Sequence, residues 1–359
     1  MTKRKVPGST PKMNFRPNSE KEGKGTRPTA QPSSVKNVML LLVQHICRRV
    51  LFVDTFYRVV FYLGMIFVVS VVMDFAPAPR SVAVSKDNFF NTYFVKIGWG
   101  WTLLLSLPFV SITSFVYCCG KREKVLRHVS RLATATLIWY FSTTAFNYIE
   151  RIYGRCNVKD ASLQSKSTCL RKGFYWQSVD ISGHCFILMY STLVLIEECR
   201  VVIGWEKIAD LLRDESHIRE QQESNYSNPL RVLNPTDFQH LANSYEKLTP
   251  YVRSLFISIT VLCVIWDVML FLTVLFYHSM LEKLLAGLTA VSVWYLTYYL
   301  LYPKVALFVS PGVGEFKYSE RSIPAPPSLK QKRSSLTKNP STINTFGKKQ
   351  EEKNTSNNI

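Results

Sequence analysis

The chain has 359 residues, 47% of them hydrophobic, and a formal net charge of +19. Its apolar residues are gathered into long runs with few charges, the signature of a polytopic membrane protein rather than of soluble domains in series. Lys and Arg crowd the first fifty residues, the loop Lys121 to Arg127, and a tail containing Lys330, Lys332, Arg333, Lys348 and Lys349. With six spans these segments share one side, which the positive-inside rule makes cytosolic. A nucleic-acid partner is therefore not expected; the charges serve topology and attraction to anionic headgroups of membrane lipids.

Residues 1–37 are rich in Lys, Ser, Thr, Pro and Gly and predict a disordered cytosolic N-terminus. Residues 38–309 predict an all-α membrane domain, because helices satisfy their own backbone hydrogen bonds in a bilayer. Val38 to Val50 is too short to cross and is expected in the interface or docked on the bundle. Six spans follow: 56–73, 98–119, 132–149, 184–202, 255–277 and 284–301. Each lies near the roughly 20 residues that a crossing needs. The third is the most diluted, by Thr134, Thr136, Ser142, Thr143 and Thr144.

Pro77 and Pro79 break helix in the first non-cytosolic segment. Cys156 and Cys169 share the loop between spans three and four, also non-cytosolic, where a disulfide could close it. In the longest cytosolic connection, Val201, Val202, Trp205, Ile208, Ala209 and Leu212 fall on one helical stripe. Interfacial helices are the reading for this stretch and for Phe238, Leu241, Tyr245 and Leu248; for the first, direct continuation of span four is the alternative. The sequon Asn225-Tyr-Ser227 falls on the cytosolic side and is expected to stay unused. Residues 310–359 predict a second disordered, basic cytosolic tail.

Two histidines stand apart. His184 begins span four and His278 closes span five, so both face the same, non-cytosolic side. His45, His128, His217 and His240 fall in basic or polar segments and read as surface groups. Asp180-Ile-Ser-Gly-His184 sits at a helix N-terminus, where free N–H groups attract an anion. Asp180 or Ser182 could cap that helix, and Gly183 would admit a phosphate close to the backbone. Helix-start chemistry alone also accounts for Ser-Gly here. Glu282, four residues after His278, could orient and charge-stabilise its imidazole, or pair with Lys283 or solvent instead. A metal site from both histidines with Asp180 or Glu282 lacks a recognisable spacing, and no metal or other cofactor is expected. Glu197 and Glu198 lie roughly 20 Å beyond His184, out of reach of the site. Asp267, inside span five, could hold a lipid hydroxyl; a structural hydrogen bond between helices is the preferred reading.

Ser-Gly-His at a helix start, a later histidine and an acid four residues on resemble the second and third motifs of the lipid phosphate phosphatase superfamily. More closely, Asp180-Ile-Ser-Gly-His-Cys-Phe186, Leu193-Val-Leu-Ile-Glu-Glu198, Trp266-Asp267 to Tyr277-His278, and Trp294-Tyr-Leu-Thr-Tyr298 resemble the fat storage-inducing transmembrane family, across about residues 50–303. The resemblance implies an endoplasmic reticulum protein with cytosolic termini and a luminal site. It implies an acyl-CoA diphosphatase, releasing acyl-4′-phosphopantetheine and adenosine 3′,5′-bisphosphate, that supports lipid droplet formation and binds di- and triacylglycerol. It further implies that His278 attacks phosphorus and that His184 protonates the leaving group and then activates water. The superfamily's Lys and Arg-Pro and its Ser-Arg are not evident in this chain, so phosphate charge falls to Arg151, Arg155, Arg171, Lys172 or Lys283. The rival readings are a neutral-lipid-binding scaffold without catalysis and a phosphatidate-type phosphatase; a transporter is more distant, since neither repeats nor a polar pathway are visible.

Overall fold

A computed structural model describes residues 35–75, 94, 97–158, 165–221 and 228–318. The two tails up to residue 34 and from residue 319, Pro77 and Pro79, and the Asn225 sequon lie outside the described residues. Helix dominates. Among the described residues four helices are long and apolar enough to cross a membrane: α2 (Thr55–Phe75), α3 (Gly98–Tyr117), α8 (Pro235–Phe276) and α9 (Met280–Tyr295), which runs on through a π-helical turn at Leu296–Leu301.

The other two expected spans are helices of different character. α4 (Arg122–Tyr153) is long but polar for its length. α6 (Gly183–Cys199) is apolar on every side yet only 17 residues long. Every residue of α6 from Cys185 to Cys199 is buried, against α9, α8, α3 and α4. A helix without a polar stripe can be sheltered only by being surrounded, so α6 is the axis of the bundle.

Around this axis, α1 (Val35–Leu51) docks on α8. It turns Gln44, Cys47 and Leu51 inward and leaves Val38, Met39, Leu42 and Ile46 exposed. The stripe after span four is neither interfacial nor a straight extension of it. The chain turns through a 3-10 segment (Arg200–Val202) and Gly204, whose φ of +86° suits glycine, into α7 (Lys207–Gln221). Val201, Val202, Trp205 and Ile208 are buried by protein. Trp205 Nε1 donates to Thr249 at 3.3 Å, and Tyr245 donates to the Trp205 carbonyl at 3.2 Å.

The second expected interfacial helix is likewise no separate element. It is the first part of α8, 42 residues or roughly 63 Å long. The helix passes through Pro250, where one N–H is missing, without ending.

Between α4 and α6 sits a small cap. Strands β1 (Arg155–Cys156) and β2 (Trp176–Gln177) pair antiparallel, and α5 (Lys166–Arg171) packs on both. Cys156 and Cys169 are disulfide-bonded with Cα atoms 5.9 Å apart, closing the loop as the sequence allowed. Gly154 lies under the indole of Trp176, where any Cβ would clash. At the opposite end of the bundle the chain stays packed beyond residue 309: Phe316 and Tyr318 are buried. Glu315 there meets both Lys121, at 3.2 Å, and Lys124.

Candidate active site

α8 ends at Phe276, and the Tyr277 amide closes its last turn onto Thr273 at 3.1 Å. His278 follows in the left-handed region, at φ +60°. Histidine is one of the few side chains found there with any frequency, but the conformation still costs energy. The reversal lets Ser279 begin α9 at once. Glu282, in the first turn of α9, takes the Ser279 amide on Oε2 at 2.9 Å.

The same carboxylate reaches the other chain segment. Glu282 Oε1 accepts the Asp180 amide at 3.0 Å, and the Glu282 carbonyl accepts the Ser182 amide at 3.4 Å. One residue thus fastens the entry to α6 onto the entry to α9. The His184 turn and the His278 turn come to one end of the bundle together.

Ser182, not Asp180, caps α6, its hydroxyl accepting the Cys185 amide at 3.3 Å. Asp180 is freed to face His278. The imidazole Nδ1 lies 3.6 Å from Glu282 Oε2 and 4.0 Å from Asp180 Oδ2. These are ion-pair rather than hydrogen-bond distances. Glu282 is therefore near His278 as expected, but through the reversed turn and not through a shared helix. With Nδ1 toward two carboxylates, Nε2 is the nitrogen left for chemistry. Burial raises the Asp180 carboxyl above its ordinary value; the imidazole and Lys166 oppose this, while Glu150 and Glu282 add to it.

His184 occupies the first turn of α6, half-buried. Beside it Gly183 is exposed, and a Cβ there would meet nothing within 4 Å, so packing does not demand glycine. Among the described residues no group of three or more His, Cys, Asp or Glu could hold a metal ion.

Of the expected phosphate-binding cations, Arg151, Arg155, Arg171 and Lys172 are exposed around the cap. Lys283 is not available in the same way. It is 3% exposed, and its Nζ donates to the Val274 carbonyl in the last turn of α8 at 2.8 Å. That bond satisfies an orphan helix-end acceptor.

A second polar cluster lies at the far end of α6, and the sequence reading missed it. Arg131 grips Glu198 through two bonds, Nε to Oε1 at 2.9 Å and Nη2 to Oε2 at 2.6 Å, with both side chains 1% exposed. Tyr298 donates to Glu198 Oε1 at 2.8 Å. His128, read as a surface group, is fully buried. Its Nε2 donates to the Val313 carbonyl at 3.0 Å, while Nδ1 accepts from Arg131 at 2.8 Å and from Tyr117 at 3.2 Å. The available signal was Glu198 itself, an ionisable group within an apolar run that needed a partner. Asp267, by contrast, forms the interhelical bond expected of it, accepting from Tyr62 and from Arg58 Nη1 at 3.3 Å.

The model of the family described as "Fat storage-inducing transmembrane protein" matches residues 79–298, more than half of the chain. Curated relatives carry the name acyl-coenzyme A diphosphatase FITM2. The Drosophila melanogaster protein is 45% identical over 88% of this chain and 75% of its own length. The Homo sapiens protein is 31% identical, over 68% and 80% respectively. The Caenorhabditis elegans protein is 28% identical, over 81% and 95%. No solved structure matches. The likeness spans α3 to α9, takes in both histidine turns, and accords with the apolar helices of a membrane protein: the chain belongs to the fat storage-inducing transmembrane family.

Proposed function

We propose that this chain is an acyl-CoA diphosphatase. It hydrolyses the phosphoanhydride of fatty acyl-CoA to acyl-4′-phosphopantetheine and adenosine 3′,5′-bisphosphate, supporting lipid droplet formation. The observation that carries the site assignment is the Glu282 junction, which fastens the His184 and His278 turns together. With Nδ1 facing Asp180 and Glu282, His278 attacks phosphorus through Nε2 and forms a phosphohistidine. His184 gives its proton to the departing phosphate oxygen. It then takes a proton from the water that cleaves the phosphohistidine. Developing phosphate charge is met by the positive end of α6, beside the open space at Gly183.

The same reading assigns six crossings, with α4 and α6 joining the four apolar helices, and cytosolic tails on both sides of one membrane domain. The Cys156–Cys169 disulfide supports a luminal site in the endoplasmic reticulum. Disulfides persist in oxidising compartments, and β2 ends only three residues before Asp180. Di- and triacylglycerol are proposed to share the apolar bundle with the acyl chain.

The test is mass-spectrometric detection of both products with purified protein, His184→Ala and His278→Ala. Each substitution is expected to abolish product release while leaving membrane insertion intact. Full activity in either variant rejects the mechanism.

A further inference from the structure

Phosphate charge poses a problem at the histidines. Two carboxylates, Asp180 and Glu282, face His278. Lys283 is committed to Val274, and Lys166 is paired with Glu150. A substrate bearing a diphosphate and a 3′-phosphate needs cations that are not already engaged. Arg151, Arg155, Arg171 and Lys172 are exposed and make no side-chain hydrogen bond or ion pair among the described residues. All four lie in or beside the disulfide-closed cap.

The cap holds Arg155, Arg171 and Lys172 in one small, cross-linked element. In the β1–β2 ribbon Arg155 stands opposite Gln177, and Cys156 opposite Trp176. The Asn157 amide continues the pairing to the Tyr175 carbonyl at 2.9 Å. Side chains alternate faces along a strand. Cys156 and Trp176 therefore turn inward, toward the disulfide and Gly154, while Arg155, Asn157, Tyr175 and Gln177 share the outer face. Tyr175 is 81% exposed. The disulfide ties α5, which ends at Arg171 with Lys172 as its C-cap, to the strand that carries Arg155.

The cap also abuts the chemistry. Asp180 follows Gln177 by three residues, about 10 Å of extended chain, and Asp180 is 4.0 Å from His278. The Glu150–Lys166 pair at the cap's base lies close enough to act on the Asp180 carboxyl.

We infer that this cap is the binding site for the nucleotide end of the substrate, a 3′-phosphorylated adenosine 5′-phosphate. Arg155, Arg171 and Lys172 hold the phosphates, and Tyr175 stacks under the base. Guanidinium groups pair with phosphate oxygens in forked, charge-assisted bonds, and any base presents a face to an aromatic ring. The inference rests on the acyl-CoA reading above for its choice of ligand.

The test measures equilibrium binding of adenosine 3′,5′-bisphosphate and of adenosine 5′-monophosphate to the full-length protein in nanodiscs of zwitterionic lipid. Wild type is expected to prefer the bisphosphate by about tenfold or more. The triple variant Arg155→Gln/Arg171→Gln/Lys172→Gln is expected to lose that preference, and Tyr175→Ala to weaken both ligands. An intact disulfide and an unchanged melting temperature exclude misfolding as the cause. Equal wild-type affinity for the two ligands, or a triple variant that binds like wild type, overturns the assignment. So does absence of nucleotide binding, even if the variant loses affinity for anionic vesicles, since the cap would then be a lipid-headgroup surface. Because the readout is binding, a wild type that binds the bisphosphate preferentially but does not cleave acyl-CoA supports the cap and rejects the diphosphatase reading alone.

Discussion

Glu282 and Asp180 join the two turns that carry the histidines: Oε1 of Glu282 takes the Asp180 amide at 3.0 Å while Oε2 takes the Ser279 amide at 2.9 Å. Both carboxylate oxygens are thus engaged, one on each segment. The side chain adds these two bonds to the one its own backbone carbonyl makes with the Ser182 amide.

Glu282→Gln keeps a single acceptor oxygen and removes the charge facing His278. One of the two amides then loses its partner, a loss of about 1–3 kcal/mol in an unsatisfied donor. The expected outcome is a fall in kcat/KM of roughly 10- to 100-fold, with a lower melting temperature in detergent. Parental values for both quantities would remove Glu282 from the alignment role.

The Arg131–Glu198 pair should separate stability from catalysis. Removing one partner, as in Glu198→Gln or Arg131→Met, strands the other inside the bundle and should destabilise by about 3–5 kcal/mol. Replacing both with apolar residues should recover part of that loss. Glu198 lies 14 residues beyond His184, about 21 Å along α6. Turnover per folded molecule should therefore hold near wild type. Thermal melts run beside an activity assay check both halves.

Cys156→Ser with Cys169→Ser should loosen the cap without unfolding the bundle. The bridged cysteines are 13 residues apart, and closing a loop of that size contributes roughly 3 kcal/mol. Limited proteolysis is expected to cut the variant between α4 and α6 where the parent resists. Equal resistance of the two proteins would mean that the ribbon and α5 hold the cap unaided.

The segment around Glu315 should detach in acid. Partial burial raises this carboxyl, but hydrogen bonds from Lys124 and Lys121 outweigh it and leave Glu315 below its ordinary value. A lowered carboxylate adds stability above the ordinary glutamate range and loses it as pH falls through the lowered value. Hydrogen exchange of residues 305–318 is therefore expected to be slow at neutral pH and to quicken below the usual glutamate range. Exchange that is indifferent to pH after correction for the intrinsic rate would assign the docking to Phe316 and Tyr318 alone.

The long apolar runs made α2, α3, α9 and the second part of α8 legible in the sequence. α4 was harder to read because its hydroxyls dilute hydropathy. In the structure Thr134, Thr136 and Thr143 each donate to a carbonyl four residues back, at 3.0, 2.8 and 2.9 Å, so polar composition does not interrupt the helix. The continuity of α8 across Pro250 was invisible because hydropathy changes there while the backbone does not.

At the site, His184, His278, Asp180 and Glu282 could be picked from local spacing. The junction among them could not, since it joins residues 102 apart. His128 was misread for the same reason: the carbonyl that covers it belongs to Val313, 185 residues away.

His278 bends the backbone in a way glycine would tolerate better. A glycine in its place would relax the reversal into α9 even as it removed the imidazole. Sturdiness and the proposed chemistry pull in opposite directions at this one position, and a screen that rewards only thermal tolerance would select away the imidazole.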